Sequence, residues 1–330
     1  MSSRRLRASV LICTYNRAGG LKAALEGLAR QTLSAGEFEV VVVDNNSTDN
    51  TVEVVQTAAK TVPYPVRYAL ETRQGKCWAL NTGIAAARAD IVACLDDDCV
   101  PDPNWLAEIV RAFERTEVGV LGGPCRSKFS DAVRRDSFRV FLAERFFGDF
   151  APYADFTEVF DQDLPLGMNL AFRKAVAAQV GGFDVRLGPR PKAHLGREET
   201  AFIRAAQKAG YRVFYSPSMV MWHHIEDRRV SWETVRRQAY FSGRGVCRER
   251  YGAAARGSAV RKIGPGLIFL AELVYSALRT ALFLFSRRRF AVARFRMIAA
   301  VGKLAELWGG GCKCDGVAST ESEFDRGTSK

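Results

Sequence analysis

The stretch Phe38-Glu39-Val40-Val41-Val42-Val43-Asp44-Asn45-Asn46-Ser47-Thr48-Asp49-Asn50-Thr51 decides the fold. Its first part is a continuous apolar run, the kind that forms a strand buried on both faces of a parallel sheet. The run stops at an acid. Ser47, Thr48 and Asp49 then offer N-cap chemistry for a helix through Lys60. Strand, polar loop and capped helix make one unit of an α/β fold.

The unit recurs on both sides. Before it, residues 8–13 read as a strand, and residues 18–30 as a helix with Leu21, Leu25 and Leu28 at helical spacing. After it come a strand at Val66–Leu70, a helix at 76–87 and a strand at 91–95. A helix through Arg115 follows, with Pro103 suited to its first turn, and then a strand at Val118–Gly122. This order predicts an α/β protein with a mostly parallel sheet flanked by helices, whose ligands bind outside the carboxyl ends of the strands. From 129 to 164 the pattern loosens and turns aromatic, as in a helix-rich insertion with a mobile loop. Residues 166–173 return to a strand, 188–196 form a Gly/Pro/Lys loop, and 197–210 read as a helix ended by Gly210.

The chain has 330 residues, 48% hydrophobic and 25% charged, enough for one large domain with an appendage. Its 8 cysteines make no spaced metal quartet, and Cys312 with Cys314 offers too few ligands for zinc. Residues 1–7 are short and basic, and the apolar run after them is too brief for an export signal, so the expectation is a cytoplasmic chain with free thiols. Between Glu226 and Lys303 there are 17 basic and 5 acidic residues, so the whole net charge of +12 lies in that segment. The plain reading is a solvated basic face; the sharper one is a surface that meets anionic lipid or phosphate. Nucleic acid ranks last, because neither zinc-finger spacing nor an RNP-type strand is present.

Within that segment, residues 263–285 are about long enough to span a bilayer. Glu272, Ser276 and Arg279 fall on one helix face, however, and Arg287-Arg288-Arg289 follows. An interfacial amphipathic helix fits this better than a spanning one, with core packing as the competing reading. The tail at 309–330 is Gly/Ser/Thr-rich and reads as disordered.

Five motifs carry chemistry, and each stands at a strand or helix end. Leu95-Asp96-Asp97-Asp98-Cys99-Val100-Pro101 packs three like charges after a buried strand. A divalent cation, Mg²⁺ or Mn²⁺, completed by substrate phosphates would relieve their repulsion. The competing reading is an acidic cap before Pro103. In the loop after Val43, capping explains Ser47 and Asp49 but does not require Asp44. Arg73-Gln74-Gly75-Lys76 sets two cations near a helix start, where an anion such as a diphosphate binds. Glu198-Glu199 can include one carboxyl of raised pKa, as a general base needs, or can simply complement a helix dipole. His223-His224 ends a strand and offers a metal or phosphate ligand, or one buried structural histidine.

Taken in order, these pieces resemble the inverting family 2 glycosyltransferases of GT-A fold. The resemblance runs from about Ser9 to Gly245. It rests on Cys13-Thr14-Tyr15-Asn16-Arg17, Asp44 to Thr51, Arg73 through Asn81 with Gly83, Asp96-Asp97-Asp98, Gly167 to Arg173 with Gly181-Gly182-Phe183-Asp184, Glu198-Glu199 and His223. It implies that Thr14, Tyr15, Asn16, Arg17, Asp44 and Arg73 hold the nucleoside of a nucleotide-sugar donor, UDP-linked, with Lys76 beside them. It also implies that Asp96 contacts ribose or metal, that Asp97 belongs to the donor-binding set, that Asp98 and His223 serve the metal, and that Glu199 is the base with Glu198 second. The acceptor would be a glycan, a lipid-linked molecule or a small molecule, with no nucleic acid involved. Residues 1–225 would be the transferase domain, with a nucleotide-sugar half at about 8–125 and an acceptor half at about 126–225. The basic, apolar helices at 226–308 would dock on the inner face of an anionic membrane. Two departures stand out: Asn45 where the family often has Asp, and Glu199 where its acidic pair ends in Asp. Rival readings are a nucleotide-sugar-binding protein without catalysis and a sugar nucleotidyltransferase. Thr14-Tyr15-Asn16-Arg17 argues against the latter, which carries a Gly-rich basic loop there.

Overall fold

The computed structural model of the chain describes residues 6–160, 163–190, 193–255, 259–283 and 286–308. Strand β1 (Ala8–Thr14) leads into helix α1 (Ala18–Leu28), β2 (Phe38–Asp44) into α2 (Thr51–Thr61), and β3 (Val66–Leu70) into α3 (Lys76–Ala86). Then follow β4 (Ile91–Asp96), β5 (Cys99–Pro101), α4 (Trp105–Ala112), β6 (Val118–Gly122) and β7 (Cys125–Lys128). The insertion holds α5 (Asp131–Arg134), α6 (Ser137–Phe147) and β8 (Thr157–Glu158). Beyond it lie β9 (Asn169–Arg173), α7 (Lys174–Val180), a hairpin of β10 (Pro189–Arg190) and β11 (Ala193–His194), α8 (Glu198–Lys208), β12 (Arg212–Tyr215) and β13 (Met221–His224). Three long helices close the described chain: α9 (Trp232–Ala255), α10 (Ala259–Leu282) and α11 (Arg287–Trp308). The tail at 309–330, with Cys312 and Cys314, lies outside the described residues.

Every position of β2 is buried. Val40 and Val42 pack with Val10, Ile12, Leu25 and Trp105 on one face, and Val41 and Val43 pack with Leu11, Leu80 and Phe172 on the other. Each such side chain contributes about 1.5–3 kcal/mol relative to exposure. The strand order is β3-β2-β1-β4-β9-β6-β12-β8. β9 runs against β4 and β6, and β8 runs against β12, while the other pairings are parallel. The chain builds outward from β1 to β3 and then returns to place β4 on the other side of β1. That reversal opens a crevice at the carboxyl ends of β1 and β4. A smaller sheet, β5-β13-β7, lies at the same end.

The capping differs in detail from the sequence reading. Asp49 alone takes that role: its Oδ1 accepts from the Thr51 amide at 3.2 Å, and its Oδ2 accepts from the Ala18 amide at 3.0 Å, at the start of α1. One carboxylate thus serves two helix starts. Ser47 Oγ instead accepts from the Asn16 amide. The loop at 188–196 contains the β10–β11 hairpin, which its Gly and Pro content had masked.

The C-terminal helices are layered, with α11 between α9 and α10. Backbones approach closely: a Cβ on Gly243 would lie 1.9 Å from the Ala299 carbonyl oxygen, and one on Gly302 would lie 2.1 Å from that of Tyr240. Glu306 of α11, almost wholly buried, accepts from Arg244 at 2.9 Å and from Arg248 at 2.7 Å, both on α9. α10 meets α11 through the buried Ser276, and through Glu272, which stays exposed and pairs with Lys303 of α11. Phe269 is buried with Cys247 and Leu307, and most of the other large apolar residues of α10 are exposed.

Gly302→Val should separate α9 from α11 and destabilise the protein by roughly 2 kcal/mol. Denaturant unfolding of the variant beside the wild type measures this, and an unchanged midpoint would contradict the close approach.

Candidate active site

Three carboxylates stand at the end of β4, and each meets a cation from another part of the chain. Asp96 Oδ1 accepts from Lys76 Nζ at 2.6 Å, at the start of α3. Asp97 Oδ2 accepts from Thr14 Oγ1 at 2.8 Å, and its Oδ1 from Arg17 at 3.1 Å. Asp98 Oδ2 is the most contested atom: Arg17 donates to it at 2.6 Å and Arg229 at 2.9 Å, and His223 Nε2 lies 3.4 Å away. Pairing of β13 with β5 sets His223 opposite Cys99, and the His224 amide donates to the Asp98 carbonyl at 2.9 Å. Gly20 of α1 rests against the Asp97 carbonyl oxygen, where a Cβ would come within 2.5 Å.

Electrostatics separates Asp97 from Asp98. Burial pushes Asp97 up to about 6, against the opposing charge of Arg17. Burial works the same way on Asp98, but the hydrogen bond and charge of His223, with Arg17, overcome it and hold Asp98 well below the usual carboxylate range. Burial alone would lower Lys76; the charges of Asp96 and then Glu198 raise it well above the ordinary lysine value.

The chemistry of this donor set fits a divalent ion. Asp98, Cys99 and His223 each offer one ligand atom, all within 4.8 Å of one another. Burial drives the Cys99 thiol well above its ordinary pKa, so it stays protonated, and it donates weakly to Asp98 Oδ1 at 3.7 Å. A carboxylate oxygen and an imidazole nitrogen remain as ligands.

The neighbouring loops are held together by polar side chains. Asn16, at φ 52, accepts from the Thr48 amide at 2.7 Å. Asp44 accepts from the Ser47 amide at 2.8 Å and from the Tyr68 hydroxyl at 3.0 Å. Tyr15 is exposed at the mouth of this loop. Asn45 donates to the carbonyls of Glu71 and Arg73 at 2.9 and 2.8 Å and accepts from the Gly75 amide at 2.8 Å. An aspartate there has no donor for the two carbonyls, which explains the Asn. Arg73 is tied to Glu71, donating at 2.8 and 2.7 Å, and lies 3.9 Å over the Trp78 ring. Those hydrogen bonds, with one from Thr82, pull Glu71 down to about 2.

The second carboxylate pair opens α8. Glu198 is 5% exposed and its Oε2 has no partner among the described residues. Burial, then the charge of Glu199, push its carboxyl up to about 8. Glu199 is half-buried beside Gly167, where a Cβ would lie 3.2 Å from its own Cβ. Lys76 feels the charges of Asp96, Glu198 and Glu199 together, so α3 links the two acidic groups. Just before the pair, Arg197 adopts φ 72, a left-handed conformation that costs a non-glycine residue about 1–2 kcal/mol. Its guanidinium donates at 2.8 Å to Glu249 of α9, which Arg204 of α8 also contacts. α9 comes close enough here that a Cβ on Gly245 would lie 2.0 Å from the Leu195 carbonyl oxygen.

Thr14, Asp44, Asp96 and Asn169 stand at one end of the sheet, but some of the residues singled out in sequence serve its architecture. Asn169 is buried, donating to the carbonyls of Pro124 and Met219 and accepting from the Trp105 indole at 2.7 Å. Asn81 clasps the backbone of Phe183 at 2.8 and 2.9 Å, tying α3 to the Gly181-Gly182 turn. Sequence reasoning missed Arg229, Glu71 and Tyr68. Arg229 counted only as part of a basic segment; its approach to Asp98 depends on a pairing between segments far apart in the chain.

Crevice, paired carboxylates and cationic helix start together define a GT-A-type transferase scaffold. The chain belongs to Glycosyl transferase family 2, whose profile matches residues 9–177. It is 26% identical over 219 residues to the glycosyltransferase AglE of Haloferax volcanii, covering 65% of this chain and 66% of that protein. The chain therefore spans about two thirds of that relative. A mannosyltransferase of Pyrobaculum calidifontis, in complex with GDP-Man and Mn²⁺, matches with a TM-score of 0.62 at 23% identity, covering 93% of this chain and 88% of its own. Residues 1–349 of Staphylococcus aureus TarS in complex with UDP match with a TM-score of 0.50 at 16% identity, covering 91% of each chain. At these identities the two structures speak for the fold.

A carboxyl raised in the folded state stabilises the protein fully below its ordinary value of 4.5, and that contribution is lost as pH rises through about 8. Glu198→Gln removes this loss. Its melting temperature should therefore gain on the wild type by several degrees between about pH 5 and about pH 9. Parallel melting curves across that range would refute the buried, proton-holding Glu198.

Proposed function

We propose that the protein transfers a sugar from a nucleotide-sugar donor to an acceptor hydroxyl with inversion at the anomeric carbon. The reading is carried by one observation: three cation-paired carboxylates and a second carboxylate pair share one crevice, linked through Lys76. Thr14, Tyr15, Asn16, Arg17, Asp44 and Arg73 hold the nucleotide, UDP being the first donor class, with Lys76 and Asp96 beside it. Asp97 keeps Thr14 and Arg17 in place. The neighbours with UDP and with GDP-Man make GDP-linked sugars the second donor class.

Asp98 and His223 would hold Mn²⁺ or Mg²⁺ with the donor phosphates, and the imidazole favours Mn²⁺. Such an ion, when bound, neutralises charge on the departing diphosphate. Arg17 and Arg229, already at Asp98, are the chain's own phosphate-binding cations. Glu199 accepts the proton of the acceptor hydroxyl while that oxygen attacks the anomeric carbon opposite the diphosphate. The new carbon–oxygen bond forms as the bond to the diphosphate oxygen breaks, so the configuration inverts. Glu198 is the second candidate and the poorer base, because it keeps its proton near neutral pH.

The acceptor is a hydroxyl of a glycan, a lipid-linked molecule or a small molecule. The same reading puts the enzyme in the cytoplasm, peripheral on the inner face of a membrane. Of 14 exposed large apolar side chains among the described residues, 8 lie on α10.

Glu199→Gln should lower kcat by about a hundredfold or more, as loss of a general base does, with donor binding kept. Asp98→Ala should abolish transfer. Turnover of UDP- and GDP-sugars by both variants, with nucleoside diphosphate binding followed by thermal shift with and without Mn²⁺, tests the assignment. Full activity in both variants would sink it.

A further inference from the structure

A surface cavity of about 320 Å³ opens between α6, α10 and α11. Five guanidinium groups line it: Arg145 of α6, Arg279 of α10, and Arg288, Arg289 and Arg296 of α11. Among the described residues no carboxylate pairs with any of the five. Elsewhere the protein behaves differently: Glu249 and Glu306 are each held by two arginines. Aromatic rings steady the cavity's cations instead. Arg288 lies 5.7 Å over Phe141, and Arg279 and Arg289 lie 5.3 and 5.6 Å over Phe283. A ring face orients a guanidinium without neutralising it. Five like charges around one cavity repel unless an anion enters.

The cavity's place names the anion. The exposed apolar stripe of α10 runs through Leu267, Leu270, Val274, Leu278 and Leu282, and Arg279 stands on its last turn. At the other end of the stripe are Arg261, Lys262 and the exposed Trp308, with Lys262 5.8 Å over that ring. Cations and an indole bracketing an apolar helix face match the headgroup level of a bilayer. Glu272, Arg279 and the α10–α11 pairing argue against α10 crossing it.

We propose that this five-arginine cavity binds the phosphate of an anionic lipid head group while the apolar face of α10 rests in the acyl boundary below it. The site rests on the membrane reading given above and is independent of the transfer chemistry. It gives the helix layer a defined seat and a preference for anionic lipid. Arginine suits it because its planar fork meets two phosphate oxygens at once.

Co-sedimentation of the full chain with phosphatidylcholine vesicles, with and without phosphatidylglycerol, at physiological salt is the test. Three variants accompany the wild type. Arg288→Ala with Arg289→Ala and Arg296→Ala empties the cavity. Arg236→Ala with Arg237→Ala and Arg250→Ala removes the same charge from exposed positions of α9, on the far side of α11. Leu270→Asp with Leu278→Asp breaks the apolar stripe. The cavity variant should lose about tenfold or more of its affinity for phosphatidylglycerol vesicles, since interfacial arginines add attraction to anionic lipid. The α9 variant should lose less than about threefold. Equal losses in the two arginine variants, or none in the cavity variant, would overturn the site and leave the membrane reading standing. Failure of the wild type to bind either vesicle, or full binding by the stripe variant, would overturn the membrane reading and the site with it.

Discussion

Three carboxylates in succession at the end of a buried strand are the constraint around which this protein is arranged. Unpaired, the three adjacent charges would repel, and the buried Asp97 would cost most, because a buried charge without a partner costs several kcal/mol. The partners come from every side. β1 supplies Thr14, the loop into α1 supplies Arg17, α3 supplies Lys76, and β13 with the turn after it supplies His223 and Arg229. The crevice between β1 and β4 is therefore the point where the sheet, two helix starts and the small second sheet are fastened together. The proposed binding site and the charge network that holds the fold share these residues.

The C-terminal helices obey a different rule. α9 meets Arg197 and α8 through Glu249, α11 is locked to α9 by Glu306 and by close glycine contacts, and α10 is left with most of its apolar residues uncovered. Each layer fixes the next. Most of the large side chains that this last helix exposes are apolar.

Much of this was legible in the sequence. The valines of β2 announced a strand covered on both faces, and the acids at strand ends announced the crevice, because hydrophobic period and strand-end polarity are local properties. The pattern at 263–285 revealed two faces, Glu272 and Ser276 marking one of them. It could not reveal which face the protein covers, since that depends on Lys303 of α11. Asn45 stood out as a departure, and only the carbonyls it meets explain why an amide is needed there. Arg229 left no signal at all. A basic residue among many acquires meaning only when β13 pairs with β5 and carries the following turn to Asp98. What was hidden is what distant segments do to one another.

Arg197 carries a consequence for how such chains are recombined. A residue in the left-handed region is retained there by its surroundings, and here its surroundings belong to α9. The covalent boundary near residue 225 is thus no seam. A chimera that grafted foreign C-terminal helices at that point would leave Arg197 and Arg204 facing a stranger, one turn from the acidic pair of α8. Modular exchange between relatives has to carry the acidic residue of α9 along with its helix, or the two halves will join in sequence and disagree in conformation.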